Sequence, residues 1–111
     1  LREVLDRWNS GWAYYARGDC YRDRGRKGRA AQSFRRALAR RPGRRGDLVE
    51  LRDLARARTD WDEAADYGQR LVDGYPIVTS YRLALGDIEV ARGNYDRARS
   101  LYEFIIDQRP G

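Results

Sequence analysis

At 111 residues the chain has room for one folded domain, and its three Trp and eight Tyr are too many for a disordered segment even though 36% of residues are charged. His and Met are absent and Cys20 stands alone, which excludes imidazole acid–base catalysis, Cys/His metal centres and an intrachain disulfide. No apolar run reaches the roughly 18 residues of a membrane-spanning helix, no charged-then-apolar leader precedes a cleavage site, and the formal charge is +6, with Lys27 the single lysine among 23 cations. That arginine skew is read as GC-rich, bacterial coding.

Leu1, Val4, Leu5 and Trp8 recur at helical spacing ahead of Asn9-Ser10-Gly11, so residues 1–10 read as the end of a preceding helix and the chain as an excerpt of a longer array. Helices are expected over 12–24 and 29–41, separated at Gly25. The next pair, 47–58 and 61–74, is marked by Asp47 with Glu50 and by Asp60 with Glu63, two capping boxes in which a carboxylate accepts first-turn amides. A last pair, 79–92 and 95–108, starts at Thr79 or Ser80 and after Gly93-Asn94. Leu48, Leu51, Leu54 and Ala55 stripe one helix, and Leu101, Tyr102, Ile105 and Ile106 another. Pro42, Pro76 and Pro110 each close a pair, because proline cannot continue a helix without losing an N–H bond.

The pairs copy one another at an interval of 34. Ala30, Ala64 and Ala98 share it, as do Asp19, Asp53 and Asp87, the three prolines, and Arg24, Arg58 and Arg92. Gly18 and Gly86, and Gly25 and Gly93, stand two intervals apart, with Arg52 and Thr59 as the exceptions between them. The repeat divides the chain into units 11–44, 45–78 and 79–111 of one continuous all-α domain. A small residue opposite another lets helices cross closely while Tyr and Phe fill the gaps. About three stacked pairs are needed to bury a common core. Tyr14, Tyr21, Phe34, Trp61, Tyr67, Tyr95 and Tyr102 are expected in that core, and Cys20 as a small buried hydrophobe.

Tyr14-x2-Arg17-Gly18-x2-Tyr21 followed by Ala30-x3-Phe34, Ala37 and Pro42 resembles the tetratricopeptide repeat signature, as do Leu85-Gly86, Gly93, Ala98-x3-Tyr102 and Pro110. Departures fall at Arg17, Arg52, Gly68, Arg82 and Glu89. The resemblance implies a right-handed superhelical solenoid of antiparallel helix pairs that acts as a non-catalytic protein-interaction scaffold, with no cofactor or metal. Its first helices would line a concave groove for a peptide or partner subunit, presenting Trp12, Tyr15, Asp19, Arg22 and Asp23, then Val49, Asp53 and Arg56, then Leu83, Asp87 and Val90. The three Asp would pair with cations of the ligand or accept hydroxyls of a saccharide chain, against the bland alternative of ordinary i,i+3 pairs such as Asp19–Arg22. Some members clamp a C-terminal carboxylate; the matching positions hold Tyr15, Asp19, Glu50, Ser80 and Ala84, so that clamp is missing.

Charge is uneven, +9 over residues 11–44 and −3 over 45–78. Arg24, Arg26, Lys27, Arg29, Arg35, Arg36, Arg40, Arg41 and Arg44 form a basic patch that offers the alternative function of binding nucleic acid or an anionic polymer, or phosphate, anionic lipid or an acidic neighbour, against the bland alternative of a solvated helix face. Aromatic residues do not interleave with these arginines at stacking intervals, which disfavours single-stranded nucleic acid. A periplasmic scaffold in a bacterial polysaccharide-export or envelope complex is a further alternative, and the compartment, cytoplasm or periplasm, is left open. Self-association is expected through the open ends, where Leu101, Phe104, Ile105 and Ile106 would expose an apolar patch.

Overall fold

Each turn within a hairpin closes with the same backbone bond. The amide of Arg26 donates to the carbonyl of Tyr21 at 2.8 Å, that of Asp60 to Ala55 at 2.9 Å and that of Asn94 to Glu89 at 2.9 Å. This six-to-one closure ends a helix on a residue with left-handed backbone. That residue is Gly25 (φ 76°), Thr59 (φ 59°) and Gly93 (φ 80°) in turn. Thr59 interrupts the glycine column yet adopts its conformation, at about 1–2 kcal/mol for a residue with a Cβ.

The computed structural model describes residues 2–108. It contains α1 (Arg2–Asp23), α2 (Lys27–Arg40), α3 (Arg45–Ala57), α4 (Trp61–Gly74), α5 (Thr79–Ala91) and α6 (Tyr95–Asp107). No strand occurs among the described residues. Each helix packs most closely on its hairpin partner and next on its neighbour in chain order, giving an all-α solenoid of three stacked hairpins. Its extents are 50 × 32 × 19 Å and its radius of gyration is 15.6 Å, above the roughly 13 Å of a globular domain near this size. No described helix is long and apolar enough to cross a membrane.

Two clusters make the core. Ala30, Phe34, Leu48, Leu51, Leu54 and Leu71 join the first two hairpins, while Ala55, Ala64, Val72, Leu85 and Ile88 join the second and third. The alanine column is buried throughout, at Ala30, Ala64 and Ala98. The small-to-large complementarity is direct: a Cβ added to Gly18 would lie 2.7 Å from Phe34 Cε1, and one added to Gly86 would lie 2.4 Å from Tyr102 Cε1. In the middle hairpin the sizes are exchanged. Arg52 takes the glycine position with its side chain only 11% exposed, Gly68 takes the aromatic one, and Leu85 Cδ1 of the next hairpin comes within 3.1 Å of where a Gly68 Cβ would be.

Four expectations change. Asn9-Ser10-Gly11 does not interrupt the helix, because Gly11 makes room for a neighbour: a Cβ there would stand 2.7 Å from Arg41 Nε. Asp60 caps α4 by accepting from the Glu63 amide at 3.1 Å, whereas Asp47 caps nothing, since α3 begins two residues earlier and its carboxylate is taken by Arg41. Cys20 is exposed, and so is Tyr95, which stands at the first position of α6 and points away from the stack. Leu1, Pro110 and Gly111 lie outside the described residues.

Candidate functional site

The first helices α1, α3 and α5 carry the residues expected in a groove. On α1 an aromatic ladder runs from solvent into the core, with Trp8 edge-on to Trp12 at 6.2 Å, Trp12 to Tyr15 at 6.1 Å and Tyr15 to Phe34 at 5.4 Å between ring centroids. Edge-to-face pairs at these distances fix ring orientation as well as burying area. Tyr15 is half-buried, and burial, followed by the fields of Asp19 and Glu50, pushes its hydroxyl pKa upward. Trp12, Tyr15, Arg44, Arg45 and Gly46 together line a cleft of 190 Å³ between α1 and the start of α3.

Arg22 joins α1 to α3. It lies 3.2 Å from Asp19 and 3.5 Å from Asp23 and donates to Glu50 on α3. The Asp column is therefore not uniform. Asp19 is occupied by Arg22, Asp53 is exposed and held, among the described residues, only by its neighbour Arg52 at 3.0 Å, and Asp87 accepts from the Tyr102 hydroxyl at 2.6 Å. That last bond, made to the phenol rather than the phenolate, pushes the Tyr102 pKa up to about 12. Of the remaining groove residues, Val49 is half-buried against the first core cluster, Arg56 is half-buried, and Asp23, Leu83 and Val90 are exposed. Arg56 and Asp53 share an open hollow with Ala57 and Trp61.

The basic patch does not form one surface. Arg24 and Arg26 lie in the exposed α1–α2 turn beside Lys27, and Arg29, Arg36 and Arg40 ride on α2 against tyrosine rings. Arg35 is spent on Glu63 of α4 at 3.5 Å. Arg44 turns to the groove side, its guanidinium carbon 4.4 Å from the Trp12 ring centroid. Arg41 leaves the surface altogether: its side chain is 2% exposed, beneath the same ring at 4.4 Å, and Nη2 lies 3.1 and 3.3 Å from the two oxygens of Asp47, which is 0% exposed. Burial pushes the Asp47 carboxyl up to about 6, against the pull of Arg41 and Arg44.

Trp8 belongs to this region as well, on the same continuous helix as Trp12 rather than on a preceding one. Glu50, which spacing offers as a capping partner of Asp47 and as an inner-face position, is held by Arg22 from α1, a partner that spacing does not identify. Among the described residues no group of three or more His, Cys, Asp or Glu is placed to hold a metal ion.

Repeated hairpins with buried alanine columns, identical turn closures and exposed first-helix faces define an α-solenoid of the helical-hairpin class. The chain belongs to the tetratricopeptide repeat family: family models for this repeat match residues 11–44 and 47–111. A solved structure described as the crystal structure of MamA protein is similar, with a TM-score of 0.78 and 21% identity, covering 90% of this chain and 54% of that one. The likeness is one of fold, and the chain spans about half the length of that relative. No curated protein matches the chain. Family membership makes the chain, in general terms, a protein–protein interaction scaffold.

Proposed function

We propose that the chain is a non-catalytic scaffold that holds an extended peptide or a segment of a partner subunit against the free face of α1, α3 and α5. The observation that carries this reading is the exposure of Trp12, Leu83 and Val90 at 41%, 49% and 43% on that face. Apolar anchors flanked by polar residues are what interaction surfaces use. Asp53 and Asp87 stand beside them with acceptor capacity to spare, so the favoured ligand combines apolar side chains with Arg or Lys. A displayed peptide library selected on this chain is expected to yield such sequences. Their affinity should fall by about tenfold, or 1.4 kcal/mol, in Trp12→Ala and Leu83→Asp while Arg99→Gln leaves it unchanged. Selected peptides that bind all three variants alike would place the ligand elsewhere.

We also propose that copies associate through the ends of the stack. Phe104 and Ile106 are exposed at one end, and Val4, Leu5 and Trp8 are exposed on the first half of α1. Apolar groups clustered this way favour association. Sedimentation velocity should show a concentration-dependent shift above the monomer. A single monomeric species at the highest soluble concentration would overturn the proposal.

A further inference from the structure

Neighbouring hairpins meet through one face of each first helix. At the centre of that face stand Leu51 in α3 and Leu85 in α5, both buried, and Leu85 fits against Gly68 of the preceding hairpin. The same register position in α1 is Arg17, which is exposed. Around it the face is built from arginine and tyrosine. The guanidinium carbons of Arg17, Arg36 and Arg40 lie 4.8, 5.9 and 4.5 Å from the Tyr14 ring centroid, and that of Arg29 lies 5.9 Å from the ring of Tyr21. Arg17 Nε donates to Ser33 Oγ at 3.1 Å, and Arg40 Nη1 donates to the Arg36 carbonyl at 3.3 Å.

The rings hold these cations in place but do not neutralise them. None of the four has a carboxylate oxygen within 4.0 Å among the described residues. Elsewhere the arginines of α4 and α6 are paired with Asp or Glu. Guanidiniums gathered without counter-charge repel one another, and an incoming anion relieves that repulsion. On α2, Arg29, Arg36 and Arg40 fall within about 40° of one line along the helix and span roughly 16 Å. That length matches about five residues of extended chain.

We infer that this face docks an acidic segment of a partner protein, with Asp and Glu carboxylates taken by Arg17, Arg29, Arg36 and Arg40. The planar guanidinium fork fits a carboxylate through two parallel bonds. Single-stranded nucleic acid fits less well, because base stacking at the Tyr14 ring has to compete with three guanidiniums already lying within 5.9 Å of its centroid. The four arginines are not groove residues, so this docking stands apart from the groove reading.

The test is fluorescence anisotropy of a labelled glutamate dodecamer against the full chain, with a labelled oligouridylate as competitor. Binding is expected at about 50 mM salt and should weaken about tenfold by about 300 mM, as screening between exposed charges requires. The double variant Arg36→Gln with Arg40→Gln should weaken it about tenfold at low salt, while Arg24→Gln with Arg26→Gln, in the turn, should weaken it no more than about twofold. Circular dichroism of both variants separates lost docking from lost fold, and Arg17→Gln provides a third readout if the double variant unfolds. Absence of binding at low salt, equal losses in the two double variants, or displacement of the peptide by oligouridylate at lower concentration than by unlabelled peptide would each overturn the inference.

Discussion

Arg41→Ala is expected to destabilise the fold by about 3–5 kcal/mol at neutral pH, because it strands a buried carboxylate without its counter-charge. The Arg41 and Asp47 side chains are 2% and 0% exposed and pair at 3.1 Å. Arg41 also fills the space over Gly11 and underlies Trp12, so truncation removes packing as well as charge. Urea unfolding followed by circular dichroism measures the loss, and one below about 1 kcal/mol would show that the pair is not buried in solution. Replacing both partners by apolar residues, as in Arg41→Met with Asp47→Leu, should recover most of the loss, since a buried ion pair is often no better than well-packed hydrophobic residues of similar size.

Acidity gives the same site a second signature. The Asp47 carboxyl titrates near 6 in the folded chain, above the ~3.9 of an unfolded aspartate. The folded state therefore binds the proton more tightly, and this group's contribution to stability is full below about pH 4 and lost as pH rises through about 6. Wild-type stability measured relative to Asp47→Asn should fall across that window, by about 1–3 kcal/mol. The cost of Arg41→Ala should likewise be smaller at about pH 4.5, where Asp47 takes up a proton, than at about pH 7.5.

Phe34→Ala should cost about 3–5 kcal/mol, the range for emptying a fully buried aromatic site. The ring is wholly buried, receives the edge of Tyr15 and lies under Gly18. Its partner residue supplies a sharper test. In the wild-type background Gly18→Leu should destabilise, because its Cβ would collide with the Phe34 ring at 2.7 Å. In the Phe34→Ala background the same change should stabilise, since the new side chain enters the space the ring has left. A thermodynamic cycle of the four proteins reads the coupling directly. An effect of the same sign and size in both backgrounds would refute the proposed complementarity.

Helix positions and the hairpin period were legible because they are written in local chemistry. Ala30, Ala64 and Ala98 are buried between helices, Pro42 and Pro76 follow the ends of α2 and α4, and the 61–74 helix matches α4 at both ends. What escaped the sequence was long-range. Gly11 looked like a breaker because its role lies against Arg41, thirty residues away. Asp47 looked like a cap because the same arginine captures its carboxylate. Gly68 looked like an isolated fault, and only the assembled stack shows Leu85 of the next hairpin filling the space it leaves. Glu89 looked like a departure from the repeat signature, and it is fully buried. It is held by Arg92 Nη1 at 2.6 Å, Arg97 Nε at 3.1 Å and Asn94 Nδ2 at 3.2 Å. The residues expected to line a groove lie on α1, α3 and α5, but the charges around them depend on Glu50 and Tyr102, whose partners no spacing rule identifies.

The inverted middle hairpin also bears on modularity. Leu85 leans into the gap that Gly68 leaves, so the second and third hairpins are keyed to each other by shape. Shuffling, duplicating or transplanting single hairpins should therefore meet a polarity that their shared length conceals. The second hairpin followed by the first would bring Arg17 against the hollow shaped for Leu85, setting a cation where the present order buries a leucine.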